Sequence, residues 1–447
     1  APANGIDWLC ANVSSANKSA TGKLSRVKDY AIRTVNGKRI GFVGALTDSL
    51  GSVATPQITE DADLDEHDVD AINRVAGDLK RSGKVDAVVA LLHADASAAV
   101  GLGRDVDLAY AGHTHAVKQD VTDGGAPIYE AGSYGRNMAV QDLIITGQGR
   151  HAKVQVANVD LGNGTGSTAV PGILSVEGLD AHPRQAAWMS AGVVQNGSVA
   201  RSRQLYASVK DYADSKGDAV IGTLAKGANF DKRTSAGHEG AVGMLVADAN
   251  RESIMRHVYA GTRLPVVGFS NDGSLRTKQL DMDEDGKVTV READSLMALQ
   301  FRAAHETLTG LGLKAVLAQQ FHWGDSGTLE HRWLGVSSNV RYRYIQCGDG
   351  NTSCSLGGYA GNGNRHMGAK ASVNIVDLTI DGKPVADDDL VIIASNSYLL
   401  QGGDNYSAFR AGSNYGELKM SYNQPLHEYL AAHPKLTANV PETGTRA

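Results

Sequence analysis

Three cysteines in a chain of 447 residues are too few for a disulfide framework. No apolar run has the length needed to cross a membrane, so a spanning helix is not expected. No lysine or arginine cluster stands out and the formal net charge is -6, which leaves no electrostatic footprint for nucleic acid. What remains is an ordinary globular composition, 42% hydrophobic and 21% charged, in a chain long enough for two domains. Cys347 and Cys354 close a short loop rich in Gly, Asn and Ser, which suits one disulfide in an oxidising compartment. Two free thiols are the alternative. Cys10 reads as a lone core residue.

The chain is organised around residues 106–115. An apolar run ends at Gly112, and His113-Thr114-His115 follows. Read as a buried strand delivering a turn, this puts both histidines at the strand's C-terminal edge, where open α/β sheets bind ligands. Two adjacent imidazoles repel as cations, so the pair is most useful neutral, the form that ligates metal. A bare His-x-His is more often a surface loop, and here the strand and glycine before it favour the ligand reading. The same grammar occurs upstream, where the apolar run 85–92 ends at His93. Two parallel strands ending in histidine on one edge, with a short crossover between them, would gather His93, His113 and His115.

Other segments fill in a layered α/β domain. Residues 31–46 read as a hairpin turning at Asn36-Gly37. Residues 68–80 carry apolar side chains at helical spacing (Val69, Ile72, Val75, Leu79) and form the crossover into the strand that follows. Residues 127–130 and 139–145 read as strands. From 163 to 196 the chain is rich in Gly, Ser and Pro and loses periodicity. A helix over 198–216 follows, with Leu205, Val209, Tyr212 and Ala213 at helical spacing. The expected organisation is therefore a first domain over 1–165, a boundary loop and linker helix over 166–216, and a second domain over 217–447.

These residues carry a resemblance. The run to Leu91-Leu92-His93, the block Asp107-Leu108 to Gly112-His113-Thr114-His115, and Glu130-Ala131-Gly132-Ser133-Tyr134-Gly135 resemble the calcineurin-like metallophosphoesterases. More narrowly, they are similar to the periplasmic and secreted 5'-nucleotidase/UDP-sugar hydrolase family. Residues 239–249 resemble the opening of that family's second domain, which has α+β character. The resemblance implies two divalent metal ions (zinc, manganese or similar), with His93 and His113 serving one and His115 the other. The family's Asp-x-His, Gly-Asp and Gly-Asn-His motifs, which supply a bridging Asp, an Asn ligand and the catalytic His, do not occur in these 447 residues. Asp65-Glu66-His67 matches the first in letters only. The expectation is an incomplete half-site, with the missing ligands on an N-terminal segment of the intact protein that would partner this chain.

In the second domain, Asn271 and Arg276 sit in a strand-to-turn segment similar to the family's Asn-Gly-Gly-Gly-x-Arg. Asn271 can donate and accept at a base or ribose edge, and Arg276 can grip phosphate with a bidentate fork. A polar turn with an exposed arginine is the bland alternative. Phe301 and Tyr398 stand where the family stacks a nucleobase between two rings, and Asp404, in Gly402-Gly403-Asp404, would receive a ribose hydroxyl. For isolated aromatics, core packing is the usual role. Around Phe301 the family's Pro and Gly are Gln300 and Arg302. Arg233 is a weak candidate for a further phosphate grip.

A separate feature is the run 281–292, which fits the twelve-residue calcium loop. Asp281, Asp283, Asp285, Lys287, Thr289 and Glu292 would be the ligand positions, and a solvated acidic turn is the alternative. The function implied for the intact protein is metal-dependent hydrolysis of nucleotide phosphoesters outside the cytoplasm, periplasmic or secreted, on a nucleotide or nucleotide-sugar substrate. The alternatives are a nucleotide-binding protein without turnover, or a hydrolase of a sulfur or non-nucleotide ester on the same scaffold.

Overall fold

The computed structural model describes residues 6–159, 170–175, 197–232, 240–323, 329–346, 354–355, 370–438 and 444–446. The chain divides into two compact units, residues 1–51 with 57–204 and residues 52–56 with 205–447. Both units are mixed α/β. Cys347 and Arg233 lie outside the described residues, as does the side chain of Cys354. Cys10 is a buried free thiol.

The first unit begins with a hairpin of strands β1 (Tyr30–Val35) and β2 (Lys38–Leu46). Asn36 and Gly37 turn it with φ of 49° and 75°. Two successive positive φ values make a type I' turn, whose twist matches the strands it joins. Helix α1 (Asp68–Arg81) follows, with Ala71, Ile72, Val75, Ala76 and Leu79 buried along one face. Its first turn holds Asp68 and Asp70 and its last holds Lys80 and Arg81, so its charges complement the helix dipole. The buried face packs with Val43, Val88 and Ala90 of the sheet.

The crossover leads into β3 (Ala87–His93), then β4 (Leu108–Ala111), β5 (Val117–Val121) and β6 (Pro127–Ala131). The six-stranded sheet has the order β1-β2-β3-β4-β6-β5. β2, β3, β4 and β6 run parallel, and β1 and β5 are antiparallel to their neighbours. Val88, Ala90, Ala109 and Ile128 are fully buried, as expected for central parallel strands. Within the stretch read as a boundary loop, Ile173–Ser175 pairs with Asn137–Ala139. Helix α2 (Gly197–Gly217) contains the division between the units. Its Leu205, Tyr206, Val209 and Tyr212 are all more than half exposed.

The second unit is built on a five-stranded sheet. After helix α3 (Ala241–His257) come β7 (Val266–Asn271), helix α4 (Val290–Leu296), β8 (Arg302–Thr309) and helix α5 (Gly310–Ala318). β9 (Leu334–Val336), β10 (Leu390–Asn396), helix α6 (Ser397–Leu400) and β11 (Ser413–Ser421) complete it, in the sheet order β9-β7-β10-β8-β11. β7 and β10 are parallel and end together at Asn271 and Asn396. Both strands are buried along nearly their whole length, and α5 packs with them through Leu313, Val316 and Leu317. Among the described residues no helix is long and apolar enough to cross a membrane.

Candidate functional site

Two sites emerge, one in each unit. In the first, β3 and β4 are parallel neighbours, with Leu92 beside Ala111. Both strands therefore deliver their following residues to the same edge. The rings of His93 and His113 lie 4.9 Å apart between centroids, tilted by 59°. His115 stands edge-on to Tyr134 at 5.8 Å. Removal of the His93 ring from water, and next the neighbouring His113 and His115, hold its pKa below the ordinary value and favour the neutral, ligating form. Among the described residues no hydrogen bond ties up any of these three rings.

The backbone here is unusual. His113 has a φ of 112° and His115 a φ of 63°. Non-glycine residues in that region cost about 1–3 kcal/mol each and persist where the surroundings over-determine them. The surroundings do so here. Thr114 Oγ1 lies 2.7 Å from both Asp95 Oδ2 and Glu130 Oε1, and the Gly112 amide donates to Ala94 O at 3.0 Å. Bonds from Ser97, first its hydroxyl and then its amide, hold the Asp95 carboxyl well below the usual carboxylate range. Asp95 and Thr114 were not singled out from the sequence, and Glu130 was quoted only as part of a motif.

A dinuclear metal centre fits this donor set in part. Three imidazoles with unengaged nitrogens suit zinc or manganese. Their ligating atoms do not close into a single three-ligand group, the one such group among the described residues being Asp281, Asp283 and Asp285. His93 with His113 forms one potential pair, and His115 stands apart from it.

In the second unit, Asn271, Asn396, Tyr398 and Asp404 meet at the ends of β7 and β10. Asn271 is 2% exposed; its Nδ2 donates to Asp404 Oδ2 at 2.7 Å, and its Oδ1 accepts from Asn396 Nδ2 at 3.0 Å. Asn396 also caps α6, accepting the Leu399 amide at 2.8 Å, so one side chain fixes both Asn271 and the helix that bears Tyr398. The Tyr398 hydroxyl lies 2.7 Å from Asp404 Oδ1 and 2.8 Å from Val53 O, and it accepts from the Asp404 amide at 3.1 Å. Burial first, then the Asp404 carboxylate, pushes the Tyr398 phenol far up. Stacking alone needs no hydroxyl, and this one is fully engaged.

Gly403 explains part of the Gly-Gly-Asp motif. A Cβ there would come within 2.4 Å of the Tyr398 ring, so only glycine lets that ring lie on the backbone. On its other side Tyr398 stacks directly on Phe301, centroids 5.0 Å apart and planes within 8°. A base between two rings needs planes about 7 Å apart, twice a van der Waals contact of roughly 3.5 Å. Entry between these rings thus requires one of them to turn aside. Arg276 does not reach outward with a free fork, because its Nη1 donates to Gly273 O at 3.0 Å.

The run 281–292 forms a compact turn leading into α4. Potential ligand oxygens of Asp281, Asp283 and Asp285 lie within 4.8 Å of one another. Asp281 is buried and accepts from the Glu284 and Gly286 amides. Glu292 reaches back to Met282 N and Thr289 N, forming a capping box with Thr289, while the Lys287 ammonium pairs with Asp285. Loss of hydration, then the neighbouring Glu292 and Asp285, raises the Asp283 pKa.

A family model described as the 5'-nucleotidase C-terminal domain matches residues 220–411. No curated protein matches the chain. Among solved structures, a 5'-nucleotidase precursor from Thermus thermophilus is 16% identical, with a TM-score of 0.61 over 98% of this chain and 78% of that one. The Thermus thermophilus sulfate thiohydrolase SoxB, in complex with glycerol, is 15% identical, with a TM-score of 0.50 over 98% and 68%. At these identities the likeness is one of fold.

Proposed function

We propose that the intact protein is a metal-dependent hydrolase of nucleotide phosphoesters, because residues 220–411 match the family model of the 5'-nucleotidase C-terminal domain. The observation that carries the reading is the pair of parallel strands that bring the His93 and His113 rings within 4.9 Å at one sheet edge, with His115 just beyond on the same loop. His93 and His113 hold one divalent ion and His115 helps to hold a second. When bound, such ions polarise a phosphoryl oxygen and lower the pKa of the attacking water. The second unit recognises the nucleoside by exchanging its present contacts: one of Phe301 and Tyr398 turns aside so that both offer ring faces to the base, Asp404 and Asn271 give up their mutual bond for ribose or base hydrogen bonds, and Arg276 leaves Gly273 O for the phosphate. Calcium is the ion we assign to the 281–292 loop. Its role is structural, because Thr289 and Glu292 already tie the loop to α4. A periplasmic or secreted location accords with this reading.

Hydrolysis of a sulfur ester is the second reading, favoured by the shared fold with the sulfate thiohydrolase. The test is release of phosphate from 5'-AMP, UDP-glucose and a cyclic nucleotide, against release of sulfate from a sulfur ester, in manganese or zinc. Nucleotide turnover at roughly 1–1000 per second is expected of the intact protein. Nucleoside binding without turnover in any metal would make it a binding protein instead.

A further inference from the structure

The loop that carries His113 and His115 has a filled interior. Glu130 stands in β6 opposite Ala111, the last residue of β4, and opposite Lys118 of β5 on its other side. Residues 112–116, which join those two strands, arch over it. Glu130 is fully buried, and its carboxylate accepts hydrogen bonds from three places. Ala96 N, at 3.2 Å, comes from the turn after His93. Thr114 Oγ1, at 2.7 Å, lies between the two loop histidines. Ala116 N, at 3.2 Å, immediately follows His115. Thr114 extends the clamp, because its one hydroxyl proton is shared between Glu130 Oε1 and Asp95 Oδ2, each at 2.7 Å, and so joins the turn after β3 to the turn after β4.

Every one of these bonds goes to the backbone or to Thr114, and none to an imidazole. The ring nitrogens stay available while their Cα positions are fixed, His113 and His115 being held at positive φ. We propose that Glu130, acting through Thr114, is a positioning residue for metal binding: it sets the 112–116 arch and the turn after His93 so that the three imidazoles are placed before an ion arrives. The proposal rests on the reading of His93, His113 and His115 as ligands. Preorganised ligands bind more tightly because less ordering is left to accompany binding.

The test is calorimetric titration of the intact protein with zinc and with manganese, on wild type, Glu130→Gln, Thr114→Val and Thr114→Ser, with thermal melting alongside. Glutamine keeps the shape but places an amide NH2 against groups that themselves donate. Loss of such supporting groups weakens metal affinity roughly ten- to a hundredfold. That loss is expected for Glu130→Gln and Thr114→Val, with Thr114→Ser near wild type. Thr114 is an exposed position, so its two variants decide the matter if the buried glutamine fails to fold. Folded Thr114→Val that binds metal as wild type does overturns the proposal and leaves the ligand reading standing. A wild type that binds no more metal than a His113→Ala variant overturns both.

Discussion

Each unit of this protein buries a glutamate in a β-strand, and the two are treated differently. Glu130 in the first unit is met by two amides and a hydroxyl. Glu306 in the second, 2% exposed, has an Oε1 with no hydrogen-bond partner among the described residues. Burial pushes the Glu306 carboxyl up to about 9, so it is neutral through the physiological range. The contrast extends to the sites. In the first unit, polar side chains hold the backbone and leave the imidazoles unengaged. In the second, Asn271, Tyr398 and Asp404 engage one another and Phe301 covers the Tyr398 ring. A metal site can be assembled in advance, because ions bind to lone pairs left free. The proposed nucleoside site as it stands is satisfied by its own members, so a ligand would have to exchange one set of contacts for another.

The sharpest way to break this comparison is to remove a free lone pair. His113→Ala in the intact protein is expected to abolish turnover and lower metal content while leaving adenosine affinity nearly unchanged. Metal analysis and adenosine titration on the same sample check this; full metal stoichiometry in the variant would show that His113 is no ligand.

The second prediction sharpens the contrast between the glutamates. A carboxyl whose folded pKa is raised from 4.5 to about 9 keeps its proton in the folded chain and loses it in the unfolded one over that interval. The folded state then binds more protons, so stability falls as pH rises from about 4.5 to about 9. At pH 7 the loss is about 3 kcal/mol, at 1.36 kcal/mol per pH unit. Glu306→Gln lacks a titrating proton and should escape it, melting above wild type at pH 8 and converging with it near pH 4. An advantage that does not change with pH would mean that glutamine merely packs better.

The smallest effect concerns the rings. Phe301→Ala and Tyr398→Ala should each weaken nucleoside binding about ten- to a hundredfold, as expected for roughly 1–3 kcal/mol of stacking per base. Inhibition by inorganic phosphate should be untouched. Rings that only pack would instead lower stability by roughly 3–5 kcal/mol on truncation and leave adenosine binding normal in the folded fraction.

The histidine edge was legible because apolar runs ending in Gly or His report strand direction, and parallel neighbours then share an edge. The Asn36-Gly37 hairpin and the 68–81 helix were legible for the same kind of local reason. The clamp was not. Glu130 meets Ala96 across 34 positions only because β6 lies between β4 and β5, an order that no local pattern encodes. Tyr398 was read for its ring face, whereas its hydroxyl depends on Val53, 345 residues away. Arg276 was read as an open fork, but the turn that carries it supplies its own carbonyl acceptor at Gly273. Glu306 gave no signal, because Arg302–Thr309 lacks the alternation that would tell a buried position from an exposed one, and a glutamate usually faces water.

Histidine at a φ of 112° has a consequence for how this protein can change. Selection for folding alone favours glycine at 113 and glycine or asparagine at 115, since both tolerate positive φ at little cost. Selection for an ion favours histidine. If the proposed ligand role is right, the two pressures oppose each other at the same two codons, so a copy released from that role would shed these histidines with a gain in stability. The reverse path, from a relaxed loop back to a ligating one, would have to climb.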